Sequence, residues 1–488
     1  MTNLDMRRRW LALYVLCLGD LMIVLDGTIV NVALPSIRDD LGFSQTSLAW
    51  VVNAYLLTFG GFLLLGGRLG DLFGHRRMFL SGIGLFTAAS LACGLASSQG
   101  FLIAARAVQG LGGAVVSAVA LSLLMMLFTE QADRAKAMGV FGFVLSGGGI
   151  VGVLAGGILT DLLSWHWIFL VNLPVGIAVF LLTLRLLPAD GEAMATGRVD
   201  YAGAITVTGA LMLAVYAIVN GNEQGWGSAQ TLGMLGAAGA LMLVFLLIES
   251  RIANPLMPLG IFRNRSVSTA NVLGALMAAG LFGYFFMSAL YMQLVLGYSP
   301  MEVGLAYLPG TVLWGASSLL LSDRLVMRFG IKPPLITGLG LMTLGLLLFA
   351  RVPVDGNWLV DILPATLAAS LGAGIAFNPI LLAAMSGVRQ EQAGLASGVV
   401  NTAFMMGGAV GLAALAAIAD SRTQSLADSG DGALSALTGG YQLAFMVAAI
   451  FVVASAVVGA TLPRSEPMGA HRAHGEEPAG VPAAAEAD

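Results

Sequence analysis

Charge is scarce in this chain. Only 10% of its 488 residues are Asp, Glu, Lys or Arg, against about 25% in soluble domains. Just two residues are lysines, Lys136 and Lys332. Neither follows a glycine-rich G-x-x-x-x-G run, which excludes a P-loop and ATP hydrolysis by that route. The four histidines, His75, His166, His471 and His474, form no H-E-x-x-H motif. The two cysteines, Cys17 and Cys93, both lie in apolar runs, so no disulfide framework or metal cluster is implied. A membrane enzyme would need a nucleophile or a metal cluster, and neither is visible. The chain is therefore not expected to be an enzyme, and no cofactor, catalytic residue, metal or nucleic-acid partner is expected.

What the chain has in excess is apolar length. It is 58% hydrophobic, with a mean hydropathy of +0.88. Fourteen apolar segments, near 11–34, 46–66, 78–97, 101–125, 137–160, 167–187, 201–220, 230–249, 267–296, 302–322, 334–351, 358–382, 393–418 and 440–462, approach the ~20 residues that cross a bilayer. The longest polar breaks are 188–200, 250–266 and 419–439. The start, MTNLDMRRRW, looks like a signal-peptide n-region, but the run after it is long and has no A-x-A-like site, so a retained helix is expected. The tail from Pro463 has the composition of a disordered segment. With a cytoplasmic N-terminus, nineteen of the 23 Lys and Arg fall inside and three outside, and Arg106 falls within a span. Positive charge gathers on cytoplasmic loops, so an even number of spans with both termini inside is expected, in the cytoplasmic (inner) membrane. The 64 glycines suit helices that must pack closely in lipid.

The segment Trp10–Pro35 carries two acids, Asp20 and Asp26, and no basic residue. An acid near the middle of a span costs roughly 2.5–3.5 kcal/mol on an insertion scale. Such a group faces a bundle interior or a wet path, and it can shed the cost by binding a proton. The two acids point ~120° apart on a helix, so they need not share a job. Arg106 lies ~8 Å into the fourth span and Asp26 ~14 Å from the same side, so the two can meet. The alternative for Arg106 is a snorkelling side chain near a helix end, and for either acid a structural polar contact. Tyr284, Phe285, Phe286, Tyr291 and Trp314 either line a drug cavity or pack in a core.

The chain also repeats itself. Arg68, Leu69 and Gly74 in GRLGDLFGHRR align with Arg324, Leu325 and Gly330 at an offset of 256. Gly139, Gly148 and Gly152 align with Gly398, Gly407 and Gly411 at an offset of 259. Two six-span halves related in this way are a transporter signature, and the spans at 201–249 have no counterpart.

Gly67–Arg77 resembles the loop motif of the major facilitator superfamily, G-x-L-a-D-r-x-G-r-k, with Leu72 and His75 as departures and Met327 at the aligned acid of the second copy. LDGTIVNVALP (25–35), RAVQGLGGA (106–114), GIVGVLAGGIL (149–159), WHWIFLVNLPVG (165–176) and GLASGVVNT (394–402) resemble motifs of its fourteen-span branch, drug:proton antiporter family 2. Val153 stands where the fifth-span motif usually has proline. The resemblance covers about residues 10–463. It implies an all-α polytopic membrane protein of the major facilitator fold, two six-helix bundles plus two inserted central helices. Residues 1–187 would form the N-terminal bundle, 188–266 the inserted spans and linkers, 267–462 the C-terminal bundle and 463–488 a cytoplasmic tail.

The function implied is proton-coupled export of hydrophobic or cationic drugs, conferring antibiotic resistance. The partners would be a small amphipathic substrate, protons and the bilayer. The alternatives are a dedicated exporter of one metabolite or antibiotic, a proton symporter, or a receptor that transports nothing. Asp20, Asp26 and Arg106 would couple protons. Gly67, Asp71, Gly74, Arg76 and Arg77 would form a conformational latch, with Asp71 set to meet the N-terminus of the span starting near Ala393. Gly148, Gly152, Gly156 and Gly157 would form the antiporter helix motif.

Overall fold

In hydrocarbon no water serves the backbone, so each apolar run must close its own hydrogen bonds, and a helix does so within one segment. The computed structural model describes residues 5–188, 190, 200–252, 255–386, 388 and 393–462. The expected tail and most of the 188–200 break lie outside the described residues. Among the described residues fourteen helices are long and apolar enough to cross a membrane. They are α1 (Met6–Leu41), α2 (Ala49–Phe73), α3 (His75–Gly94), α4 (Gln99–Leu127), α5 (Gln131–Leu162), α6 (Trp167–Leu186) and α7 (Tyr201–Gln224). Then follow α8 (Ala229–Arg251), α9 (Arg265–Leu294), α10 (Pro300–Phe329), α11 (Lys332–Phe349), α12 (Trp358–Met385), α13 (Ala393–Asp428) and α14 (Ala433–Ala460).

Two boundaries differ from the sequence reading. Helix α1 runs past Pro35 to Leu41, where Gly42 at φ 70° ends it. The break at 419–439 is mostly helix, because α13 extends to Asp428 and α14 begins at Ala433. Hydropathy measures the stretch that lipid requires, whereas a helix continues beyond the membrane wherever its backbone bonds are kept.

The first six spans pack together through α1–α5, α2–α4, α3–α4 and α3–α6, and the last six through α9–α13, α9–α14, α11–α12 and α13–α14. The halves meet along α5–α10, α2–α13 and α1–α9. Gln293 Nε2 of α9 donates to the Val32 carbonyl of α1 at 2.8 Å across that seam. The inserted α7 packs on α2, α13 and α8, whereas the main neighbour of α8 is α7. Large side chains such as Phe143 (65% exposed), Leu243 (63%) and Val360 (70%) point outward, which suits lipid and not water.

The repeat has a structural meaning. Gly74 (φ 98°) and Gly330 (φ 79°) each end a helix in backbone that side-chain-bearing residues avoid. A Cβ on Gly148 would meet Leu21 and Val24 of α1, and one on Gly407 would meet Ala275 of α9 at 2.5 Å. One step on, Gly152 meets Thr28 of α1 and Gly411 meets Ala279 of α9. Glycines at equivalent offsets thus bring α5 onto α1 and α13 onto α9.

The closest crossings leave no room for a side chain. A Cβ on Gly112 of α4 would sit 2.7 Å from the Phe86 backbone nitrogen of α3, whereas one on Gly209 of α7 meets nothing within 4 Å. Gly112→Leu is expected to destabilise the protein by about 1–3 kcal/mol or more through overpacking. Gly209→Leu is expected to leave it near wild type, and thermal unfolding in detergent will compare the two.

Candidate functional site

Arg106 on α4 is fully buried, as is Asp26 on α1. Arg106 Nη1 donates to Asp26 Oδ2 at 2.5 Å and to Gln109 Oε1 at 2.6 Å, and Nε donates to the Val51 carbonyl of α2 at 2.9 Å. Its guanidinium also lies over the Tyr55 ring, 4.4 Å from the centroid. That position is incompatible with a snorkelling arginine. Asp26 Oδ1 accepts from Gln109 Nε2 at 2.7 Å and from Asn172 Nδ2 of α6 at 3.1 Å. Gln109 Nε2 also donates to Ser90 Oγ of α3 at 2.9 Å. Five helices of the first half therefore converge on one ion pair whose oxygens are fully served.

Asp20 takes a separate position. Its Oδ1 accepts from Ser117 Oγ of α4 at 2.6 Å. Its Oδ2 is buried with no partner among the described residues. Ser117 is eleven residues along α4 from Arg106, or ~16 Å of rise, so the two acids meet different parts of the same helix. A carboxyl with one hydroxyl partner and no cation is most cheaply buried in its neutral form.

The antiporter-motif glycines form a packing seam. Gly148, Gly152 and Gly156 lie against α1, the last 2.6 Å in Cβ reach from the Ile29 carbonyl. Gly157 instead faces the second half, 2.7 Å in the same sense from the Pro300 carbonyl of α10. Helix α5 is continuous through Val153, where proline would have removed a backbone donor.

In the loop motif, Asp71 faces its own loop. Its Oδ1 lies 3.4 Å from His75 Nε2, and its side chain is half exposed. The partner expected for it at the start of α13 is not among its described contacts, and 389–392 lie outside the described residues. A carboxylate four residues before a histidine on a turn finds it locally, without crossing between bundles. Arg76 and Arg77 offer their backbone nitrogens to Asp190, at 2.9 and 3.0 Å. Asp190 thereby caps α3, where a carboxylate is favoured. Gly74 leaves the space that Asp190 fills, and Gly70 packs beside Val119 of α4. Gly67 is less constrained, its Cβ position 3.9 Å from Ala118.

Tyr284, Phe286 and Tyr291 are core residues, at 1% exposure or less. Phe285 and Trp314 are partly buried and stacked, with centroids 6.0 Å apart. Sequence reasoning missed Gln109, Asn172, Ser90 and Ser117. Gln109 had a signal, because it follows Arg106 by three residues and shares its helix face. Asn172 lies within the quoted WHWIFLVNLPVG motif, whereas Ser90 and Ser117 have no local mark.

A sequence model of the Major Facilitator Superfamily matches residues 16–412. The puromycin resistance protein pur8 of Streptomyces alboniger is 40% identical over 92% of this chain and 90% of its own length. The cephamycin export protein CmcT of Amycolatopsis lactamdurans is 38% identical over 94% of each. The multidrug resistance protein Stp of Mycobacterium tuberculosis is 36% identical over 84% of this chain and 76% of its own. The fold resembles a bacterial homologue of the human lysosomal transporter Spinster in an inward-facing form, with a TM-score of 0.63, 16% identity and coverage of 93% and 97%. It also resembles an auto-inhibited POT-family peptide transporter, with a TM-score of 0.65, 15% identity and coverage of 94% and 98%.

Removing one partner of a buried ion pair costs about 3–5 kcal/mol, because the other charge is stranded. Arg106→Ala is therefore expected to lower stability by that amount, and adding Asp26→Asn is expected to restore part of the loss. Thermal unfolding of the two singles and the double checks this, and strictly additive losses would contradict the coupling.

Proposed function

This chain belongs to the major facilitator superfamily, and from that premise we propose that it is a proton-coupled antiporter. It expels hydrophobic or cationic amphipathic compounds, antibiotics among them, across the cytoplasmic membrane. Resistance and export proteins among its relatives support the substrate class. The buried Arg106–Asp26 pair carries the coupling. Protonating Asp26 removes the anion that Arg106 needs, and arginine cannot give up its own proton. The packing around a charged pair then no longer suits its contents, so proton binding discriminates between two conformations, as any driven transition requires. Asp20 breaks no ion pair when it takes a proton, so it serves as a relay and not as the switch.

The transition is a rocking of residues 1–187 against 267–462 about a midplane substrate site. The α5–α10 and α2–α13 seams open in turn. The Gly67–Arg77 loop, held by Asp190, acts as the latch on the cytoplasmic side. Both termini are cytoplasmic, a reading supported by the distribution of basic residues. A membrane potential of 100 mV contributes ~2.3 kcal/mol for each charge moved. Export of one metabolite only would use the same machinery, and the resistance profile of an efflux-deficient host expressing this chain separates the two readings.

Proteoliposomes with an imposed proton gradient test the coupling. Asp26→Asn is expected to abolish gradient-driven uphill export while substrate binding persists, and Asp20→Asn is expected to slow it. Uphill export by the Asp26 variant at the wild-type rate would refute the assignment. Asp71→Asn is expected to shift the inside-to-outside labelling ratio of single cysteines towards inward-facing, with little change in substrate affinity. An unchanged ratio would make Asp71 an ordinary loop charge.

A further inference from the structure

Two more acids are buried away from the Arg106 network, and transport as described above does not use them. Asp200 precedes α7 and Glu249 lies near the end of α8, and they are 2% and 3% exposed. Each commits one oxygen. Asp200 Oδ1 accepts from the Gly203 backbone nitrogen at 2.8 Å, capping α7. Glu249 Oε2 accepts from the Met257 backbone nitrogen at 3.1 Å, tying the turn after α8 back onto it. The other two oxygens, Asp200 Oδ2 and Glu249 Oε1, have no partner among the described residues. They converge on one place. A Cβ at Gly203 would meet both, Glu249 Oε1 at 2.8 Å and Asp200 Oδ2 closer still.

Among the described residues neither acid has an ion-pair partner. Phe62, Leu65 and Leu69 of α2, Ala204 of α7 and Leu256 of the following turn form an apolar cluster there. Arg198, two residues before Asp200, lies outside the described residues; Arg251, two residues after Glu249, and Arg68 on α2 form no ion pair with these acids. Asp71, also on α2, faces His75, and Tyr201 beside Asp200 is 49% exposed. Helix α13 also packs on α7, but its titratable residues are Asp420, Arg422 and Asp428. Asp420 meets Asn222 at the opposite end of α7.

Ionised carboxylates only accept hydrogen bonds. Two of them facing each other in an apolar pocket cannot both stay charged. One proton between Asp200 Oδ2 and Glu249 Oε1 satisfies both oxygens, one as donor and one as acceptor. We propose that Asp200 and Glu249 form a second proton-binding site, separate from the acids of α1, in which one shared proton fastens the two inserted spans to each other and against α2. The proton comes from water and returns to it, and no other reactant takes part. Its loss sets two negative charges side by side in that pocket and loosens the fastening. Helix α2 touches both α7 and α13, so the inserted pair of spans becomes a pH-responsive element beside the seam between the halves.

Two measurements on the full chain in detergent test this. In infrared spectra at neutral pH, Glu249→Gln and Asp200→Asn are each expected to abolish one and the same protonated-carboxyl band. Asp20→Asn and Asp26→Asn are expected to leave that band in place, so the result is independent of the transport assignment. Asn at 200 keeps an oxygen to cap α7, and Gln at 249 keeps one for Met257, so both variants are expected to fold. In thermal unfolding between about pH 5 and pH 9, the folded protein holds a proton that the unfolded chain has released, so stability falls as pH rises, by up to about tenfold in the folding equilibrium per pH unit. Glu249→Gln, with a permanent donor, is expected to flatten that slope. An unchanged band in both variants, or an unchanged slope in Glu249→Gln, would overturn the proposal. Stability that rises with pH and with added Na⁺ or Mg²⁺ would also overturn it, in favour of an ionised pair holding a cation.

Discussion

A guanidinium that cannot lose its proton is buried completely at Arg106, and the first half of the protein is arranged to meet it. Its hydrogen-bond needs are answered by Asp26 on α1, the Val51 carbonyl on α2 and Gln109 on its own helix. Asp26 is answered in turn by Asn172 on α6. Each group has little value alone in a low-dielectric interior, and together they leave no charge unpaired. The cost of stranding any one of them holds these helices at a common depth. It also makes the ion pair a place where a single proton has consequences beyond its own residue.

Close helix packing does the remaining work, and glycine permits it. Association in lipid lacks the hydrophobic drive of water and depends on contact and polar pairing. Gly148, Gly152 and Gly156 bring α5 against the helix that carries both acids, while Gly157 turns to Pro300 in the other half. One helix thus touches the acid-bearing span on one face and the seam between the halves on another.

The two inserted spans bring a different chemistry. Asp200 caps α7 and Glu249 holds the turn after α8, and α7 lies between α2 and α13. Helix α8 has most of its apolar surface uncovered, α7 being its main neighbour. The pair therefore borders the seam between the halves on one side only, through α7.

Much of this was legible in order along the chain. Fourteen apolar runs specified fourteen helices, because lipid leaves the backbone no other way to satisfy itself. Asp20, Asp26 and Arg106 stood out because a charge in such a run is expensive, and the depth of Arg106 selected Asp26 as within reach. The glycine repeat announced two related halves before any packing was known. Helix ends were less legible: Pro35 lies inside α1, and 419–439 is largely helical, since hydropathy reports the bilayer and not the hydrogen bonds beyond it. Only the tertiary structure decided the partners. Asn172 and Ser117 are ordinary polar residues until the rotation of α6 and α4 about their axes aims them at Asp26 and Asp20. Asp71 turned to His75 in its own loop. Asp200 and Glu249, 49 residues apart in sequence, became neighbours only when α7 and α8 folded back on each other. Composition and spacing determined which groups could not be left alone in a membrane. Which group answered each of them depended on helix rotation and crossing, set by contacts between residues far apart in sequence that no local pattern records.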